Sequence, residues 1–509
     1  MSSVLESKPL LAKPTDTFVL KRELGPYISL ALQMALANVA RIALISIDSA
    51  FLGHLGTDAL AGSSLATIWT QVPLNCVWAM ASALITLCGQ AYGAKNYNLM
   101  GIWFQMALCL VSVLMVPVFV WYWTLDVVLS HATDDVTIIA LGLRFARLLS
   151  FSIWPSLVYV CMRQYLQAMN LVAPTTIIGT MSIVIAVFAN WLLIYGAGEW
   201  DGLGFDGSAL ATVVASWFQP VALYLYAFAY RGYHKQAWGG WQLSAFTKDR
   251  WMTFLRMALP LGLNDGFTTL ANSCMSLIAA QLGAEILASN AILLTLWTLV
   301  WALFWGIACS TQVKVANQLG AGHPKAARAS SQLGFCAIIV TAVLVAALTY
   351  VAHTPILSIY TSDAVLIDHC VAVLPLFVLG FGLDAIEITI TAVLEGMGQM
   401  PFVSMVSFVA MWLVQLPMSY VLAIHLNYGF AGLWIGICLT AGFKMIVLAI
   451  KYVTIDWDLM ALHAMETVEA TDDWTMSATC AIASPANALL TSQSPGFHRN
   501  TPTNIKSEA

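Results

Sequence analysis

The chain has 509 residues, of which 60% are hydrophobic and only 9% are charged, and its mean hydropathy is +0.80. A soluble globular protein carries about 25% charged residues, so this composition excludes a soluble fold and predicts a polytopic membrane protein. The net charge of −5, with no basic tract longer than Lys21-Arg22, gives no reason to expect nucleic-acid binding.

Long apolar segments with few charges follow one another along the chain. A helix needs about 20 residues to cross the hydrocarbon core, and helices satisfy their own backbone hydrogen bonds there. The candidate spans are 28–52, 63–90, 97–125, 136–161, 164–198, 207–230, 254–281, 286–313, 329–362, 371–394 and 396–443, the last being long enough for two spans with a turn at 425–429. The sequence therefore predicts an all-α membrane protein with twelve transmembrane helices.

Lys and Arg lie on alternate connections between these spans, and the other six connections contain neither. The basic residues are Lys95, Arg163, the group from Arg231 to Arg250, the group from Lys314 to Arg328, and Lys451. Because cytosolic loops carry the excess of Lys and Arg, we expect both termini in the cytosol. The predicted parts are a cytosolic N-terminal tail (1–27), a first lobe with helices one to six (28–230), a cytosolic linker (231–253), a second lobe with helices seven to twelve (254–455) and a disordered cytosolic tail (456–509).

Four short motifs recur at a nearly constant offset. Leu55-Gly-Thr-Asp-Ala-Leu-Ala61 recurs 227 positions later as Leu282-Gly-Ala-Glu-Ile-Leu-Ala288, and the other three offsets lie between 225 and 228. Each repeat contains an even number of spans, so the repeats are parallel and related by an axis along the membrane normal. In transporters built in this way the substrate site lies between the halves, which rock to alternate access.

The repeated motifs resemble those of the multidrug and toxic compound extrusion (MATE) family, particularly its eukaryotic branch. The most similar strings are Cys88-Gly-Gln-Ala-Tyr-Gly-Ala94, Arg163-Gln-Tyr-Leu-Gln-Ala-Met-Asn170 and Val315-Ala-Asn-Gln-Leu-Gly-Ala-Gly322, within a similarity that extends over residues 28 to about 457. The resemblance implies two parallel six-helix lobes, a central cleft, and export of organic solutes in exchange for H⁺ or Na⁺.

Four acidic residues lie inside predicted spans, where an ionisable group is costly and marks a functional candidate. They are Asp48 in the first span, Asp265 in the seventh, and Asp384 and Glu387 in the tenth. Asp48 is close to the outer loop and could instead be a hydrated structural acid. Asp384 and Glu387 are three residues apart on one helix face, and we expect them to exchange protons as a coupled pair.

The resemblance bears on two of these positions. Asp384 stands where the eukaryotic family keeps an acid in this helix. Eight residues after Pro260 the family usually has a glutamate, but this chain has Thr268, and Asp265, one turn earlier, is a candidate replacement.

Aromatic and amide side chains within the spans are candidates for solute binding. Trp297, Trp301 and Trp305 form one stripe on the eighth span, which could bind cationic or aromatic solutes or pack between helices. The polar candidates are Asn38, Asn190, Asn264 and Thr268, for which hydrogen bonds between helices are the alternative role.

The sequence therefore predicts a secondary antiporter, not an enzyme, that exports cationic or polar aromatic solutes in exchange for H⁺. We expect no catalytic residue, metal or cofactor beyond H⁺ or Na⁺ as coupling ion, and a monomer in the plasma membrane or the vacuolar or lysosomal membrane. Two alternatives remain. A lipid-linked-sugar flippase of the same superfamily would need a strongly cationic central cavity, and a polytopic receptor or scaffold would bind ligand without ion flux.

Overall fold

A computed structural model describes residues 20–132, 135–361 and 363–482, and these residues are almost entirely helical. The twelve long helices are α1 (Leu20–Leu55), α2 (Thr57–Ala81 and Ala83–Gly93), α3 (Tyr97–Trp123), α4 (Val136–Ala168), α5 (Ala173–Tyr195), α6 (Phe205–Tyr230), α7 (Lys248–Gln281), α8 (Ala284–Gly320), α9 (Pro324–Val351), α10 (Ala364–Gly396), α11 (Met400–His425) and α12 (Gly429–Thr454). A thirteenth helix, α13, covers Trp457–Ile482. The predicted all-α fold with twelve long helices is confirmed.

Ten of the described helices are long and apolar enough to cross a membrane by length and composition. Over its described residues, helix α1 contributes only the shorter apolar stretch Leu24–Val39, and α7 is not among the ten. The polarity of α7 has a structural explanation. This helix packs between α2 of the first half and α11 of its own half, so polar residues such as Asn264 and Asp265 are partly buried in protein. Helices at such positions tolerate polar groups that lipid would penalise.

The pattern of helix contacts repeats in the two halves. In the first half α2 packs on α4, α3 on α4, and α5 on α6; in the second half α8 packs on α10, α9 on α10, and α11 on α12. Between the halves, α1 packs on α8 and α7 packs on α2. A twofold axis that relates α1 to α7 and α2 to α8 maps the α1–α8 contact onto the α7–α2 contact, as the parallel repeat predicts.

The two lobes are tightly closed at the end that the basic residues assign to the cytosol. Thr86 Oγ1 in α2 donates to the Glu395 carbonyl oxygen in α10 (2.9 Å), and Gln90 Nε2 donates to the Gly396 carbonyl oxygen (3.2 Å). A Cβ added to Gly320 would collide with the carbonyl group of Gln90. At this contact the backbone of α8 lies directly against the backbone of α2. Only glycine, which has no Cβ, permits so close an approach here.

We expect Gly320→Ala to destabilise this closed state by about 1–3 kcal/mol, the usual cost of forcing extra atoms into a packed interior. Gly382→Ala is the matched control, because a Cβ at Gly382 in α10 meets no atom within 4 Å. Thermal unfolding in detergent would measure the difference. Equal unfolding midpoints for the two variants would show that the contact between α2 and α8 at Gly320 is not tightly packed.

Helix α13 corrects the expectation that residues 456–509 form a disordered tail. Met460, Ala461 and Ala464 are buried against α8 and α9 of the second lobe, and Val468 is buried in the hydrophobic cluster of the first lobe. These residues share one helical face at spacings of one, four and eight. The prediction was wrong for 457–482, because even a short apolar face is enough to pack a helix against both lobes. Residues 483–509 lie outside the described part of the chain.

Two other boundaries differ from the expected ones. Helix α1 already begins at Leu20, inside the predicted N-terminal tail, whose residues 1–19 lie outside the described part. Helix α7 begins at Lys248 rather than 254, because the Thr247 side chain accepts from the Arg250 amide and caps the helix. Seven basic residues assigned to connections lie inside the long helices: Arg163 in α4, Lys248 and Arg250 in α7, Lys314 in α8, Lys325 and Arg328 in α9, and Lys451 in α12.

The exposed residues Glu199 and Lys235 lie at opposite ends of α6. Since six alternate connections lack Lys and Arg, we expect a single reactive cysteine at position 199 to be labelled from outside the cytosol and one at position 235 only from the cytosol. Labelling of intact and permeabilised cells with a membrane-impermeant maleimide would measure this. Labelling of both positions from one side would contradict the predicted orientation.

Candidate transport cavity and intramembrane charges

A cavity of about 370 Å³ lies in the first lobe, and all of its lining residues belong to α1–α6. The resemblance implied a central cleft between the lobes, whereas this cavity is enclosed by one lobe. Its wall combines aromatic and aliphatic side chains with many uncharged polar groups, which suits an organic solute. The polar lining residues include Asp48, Ser63, Thr67, Gln71, Asn75, Ser152, Ser156, Arg163, Thr212, Ser216 and Gln219.

Asp48 is the carboxylate on this wall, and its position is set by two other helices. Asn190 Nδ2 in α5 donates to Asp48 Oδ1 (3.0 Å), and Thr212 Oγ1 in α6 donates to Asp48 Oδ2. A carboxylate that accepts two such bonds is well oriented, and its charge is partly stabilised. Asp48 therefore faces a cavity rather than only the headgroup region, and Asn190 acts as its partner.

The second lobe contains a buried ion pair that the sequence analysis missed. Lys444 Nζ in α12 lies 3.0 Å from Glu387 Oε1 in α10, and the two side chains are only 14% and 5% exposed. Thr391 Oγ1 donates to the same carboxylate oxygen (2.8 Å). Asp384, one turn from Glu387, interacts electrostatically with both Glu387 and Lys444. The buried Glu395 of the same helix also interacts with Glu387 and Lys444. The cluster is thus three carboxylates with one cation, rather than the two like charges that the sequence suggested.

The signal for this ion pair was present in the sequence. Lys444 is a basic residue within an apolar span, and such a residue almost always has a partner inside the protein.

Asp265 lies in a different environment. The neighbouring Gly266 packs against Cys76 Sγ of α2, and Asp265 itself interacts electrostatically with Cys76. Its described contacts therefore face α2 of the first lobe, whereas those of Glu387 face α12. Asn264 and Thr268 are partly buried on the same helix as Asp265.

The tryptophan stripe packs on the core of the second lobe. The Trp297 ring lies 5.9 Å from the rings of Phe377 and Trp434, and Trp301 stacks on Trp305 at 5.3 Å. Of the two alternatives, these contacts favour helix packing. Asn38 is buried in α1, next to the cavity-lining residue Ala37.

The MatE family model matches two segments of the chain, residues 34–192 and 260–421, which together cover more than half of it. The chain belongs to the MatE family. The two segments fall in the two lobes, and their starts are separated by nearly the offset of the sequence repeat, so each lobe carries one copy of the family's unit.

Curated relatives of this MatE chain come from plants, fungi and animals. It is 26% identical over 467 residues to "Protein DETOXIFICATION 16" of Arabidopsis thaliana, covering 91% of this chain and 94% of the relative. It is 25% identical over 438 residues to "Multidrug and toxin extrusion protein 1" of Homo sapiens, covering 86% of this chain and 76% of the relative.

Solved structures show the same MATE fold. The eukaryotic MATE transporter AtDTX14 matches with a TM-score of 0.81 at 24% identity, over 88% of this chain and 99% of that one. The Vibrio cholerae MATE transporter VcmN, in its bent form, matches with a TM-score of 0.74 at 17% identity, over 89% and 99%. The protein is thus a MATE-family transporter and an integral multi-pass membrane protein, and the resemblance read from its sequence is confirmed.

Proposed function

We propose that this transporter is an H⁺-coupled antiporter that exports cationic or polar aromatic organic solutes by alternating access, with the first-lobe cavity as the solute site. The observation that carries the proposal is that Asp48 is the carboxylate on the wall of a cavity large enough for an organic solute. When ionised, Asp48 attracts a cationic solute; when protonated, it loses that attraction. Proton and solute then compete for one group, which is one way to couple their exchange.

The second lobe supplies a separate proton site in this proposal. Lys444 neutralises Glu387 through their ion pair, and we assign proton exchange to Asp384, the carboxylate one turn away that is unpaired among the described residues. Protonation of Asp384 and occupation of the first-lobe cavity each stabilise one orientation of the lobes more than the other. Two ligands that bias the same equilibrium are coupled without direct contact.

The relatives' names support the solute class, since two of them are described by detoxification and by multidrug and toxin extrusion. The flippase alternative is less well supported, because the charged residues on the cavity wall are one acid, Asp48, and one base, Arg163. Such a wall is not strongly cationic. We further propose a monomer with both termini in the cytosol, in the plasma membrane or the vacuolar or lysosomal membrane.

The test is ethidium transport in proteoliposomes, with the pH gradient and the Na⁺ gradient imposed separately. We expect a pH gradient to drive transport and Asp48→Asn to reduce it at least tenfold, since the amide cannot balance a cationic solute. Asp126→Asn is the matched control, because Asp126 is an exposed acid outside the cavity. Transport driven by the Na⁺ gradient alone would contradict H⁺ coupling, and binding without any driven flux would favour the receptor alternative.

A further inference from the structure

The wall of the first-lobe cavity contains a buried cation, Arg163, without an acidic partner among its described contacts. Arg163 lines the cavity, is only 6% exposed, and its Nε has no hydrogen-bond partner among the described residues. Its cation–π contact is the Trp78 ring, whose centroid lies 5.5 Å from Cζ. It also interacts electrostatically with Tyr159 and Cys309, and neither of these is a carboxylate. A buried guanidinium usually has a carboxylate or phosphate partner, because desolvation of an unpaired charge is costly.

The acid of the same cavity is too far away to be that partner. Asn190, which is bonded to Asp48, lies in α5, and Gly179 of the same helix lies against the hydroxyl group of Tyr159. Tyr159 is one turn from Arg163 in α4. The step of eleven positions from Gly179 to Asn190 corresponds to roughly 16 Å along a helix. The cavity therefore has an acid near one end and a base near the other.

We propose that Arg163 is an anion subsite of the cavity, which binds the carboxylate of an aromatic solute. The guanidinium fork matches a carboxylate in shape and charge, and Trp78 holds it at the wall. Together with Asp48, the cavity is then complementary to an amphoteric solute with an ammonium group near one end and a carboxylate near the other. The proposal rests on the first-lobe cavity being the solute site, as proposed above, but not on H⁺ coupling.

The test uses two probes that differ only in the carboxylate: 4′-(aminomethyl)biphenyl-4-carboxylic acid and its methyl ester. Binding to the full-length protein in nanodiscs is measured without any gradient. We expect the wild-type protein to bind the acid at least tenfold more tightly than the ester, which corresponds to about 1.4 kcal/mol. Arg163→Gln should remove this preference by weakening the acid tenfold and changing the ester less than twofold, and Arg163→Lys should keep part of it.

Arg147→Gln is the matched control. Arg147 also lies over a tryptophan, with Cζ 5.6 Å from the Trp123 ring centroid, but it is exposed and does not line the cavity. The acid preference should therefore survive in this variant.

A wild-type protein without preference for the acid, including one that binds neither probe, would overturn the subsite. Equal loss of acid and ester in Arg163→Gln would also overturn it, since the arginine would then only support the wall. If Arg163→Gln fails to fold, the wild-type preference and its partial retention in Arg163→Lys decide the question. An acid preference without pH-driven transport would keep the subsite and reject the proposed H⁺ coupling.

Discussion

Replacing Lys444 with methionine is expected to lower the free energy of unfolding by about 3–5 kcal/mol, because Glu387 would be left as a buried carboxylate without its cation. Methionine keeps much of the length and apolar volume of the lysine stem, so packing changes little. Glu387→Gln should be milder, since Lys444 can still interact with Asp384. Thermal unfolding of the purified protein in detergent, followed by tryptophan fluorescence, would measure each effect.

The double variant Lys444→Met with Glu387→Gln separates the ion pair from general damage to α12. We expect it to recover most of the stability lost in Lys444→Met, because no unpaired charge is then buried at this contact. Lys451→Met is the matched control, a lysine nearer the end of the same helix with its Nζ over the Phe402 ring. If Lys444→Met and Lys451→Met unfold at the same temperature, the buried ion pair does not stabilise the second lobe.

Asp384→Asn is expected to abolish proton-driven solute exchange while the protein remains folded and inserted. Asparagine keeps the shape of the side chain but cannot take up and release a proton, and Glu387 is already paired with Lys444. Ethidium should still bind in the first-lobe cavity, because that site lies in α1–α6. Asp384→Asn should thus lose exchange but keep ethidium binding, whereas Asp48→Asn should weaken both binding and exchange. This difference would distinguish the roles of the two residues.

The measurement is ethidium transport in proteoliposomes under an imposed pH gradient, with equilibrium binding measured in parallel. Asp368→Asn provides the control, since Asp368 is an exposed acid on the same helix. Normal pH-driven exchange in Asp384→Asn would mean that this carboxylate is structural and that the coupling group lies elsewhere.

The sequence by itself determined the plan of the molecule. Twelve apolar segments, and a repeat such as Leu55–Ala61 at 282–288, are properties of the linear chain, and the membrane leaves such segments few structures other than helices. The same linear motifs were sufficient to identify the family, and the acids Asp48 and Asp384 were visible because a charge within an apolar span is rare.

Only the tertiary structure decided which of these groups meet. Asp48 and its partner Asn190 are 142 residues apart, Glu387 pairs with Lys444 on another helix, and Arg163 lies at a cavity wall rather than on a loop. Helical periodicity tells which residues share a face, but not towards which neighbour that face turns. That direction depends on the packing of all twelve helices, in which a small rotation or shift of one helix would separate the partners.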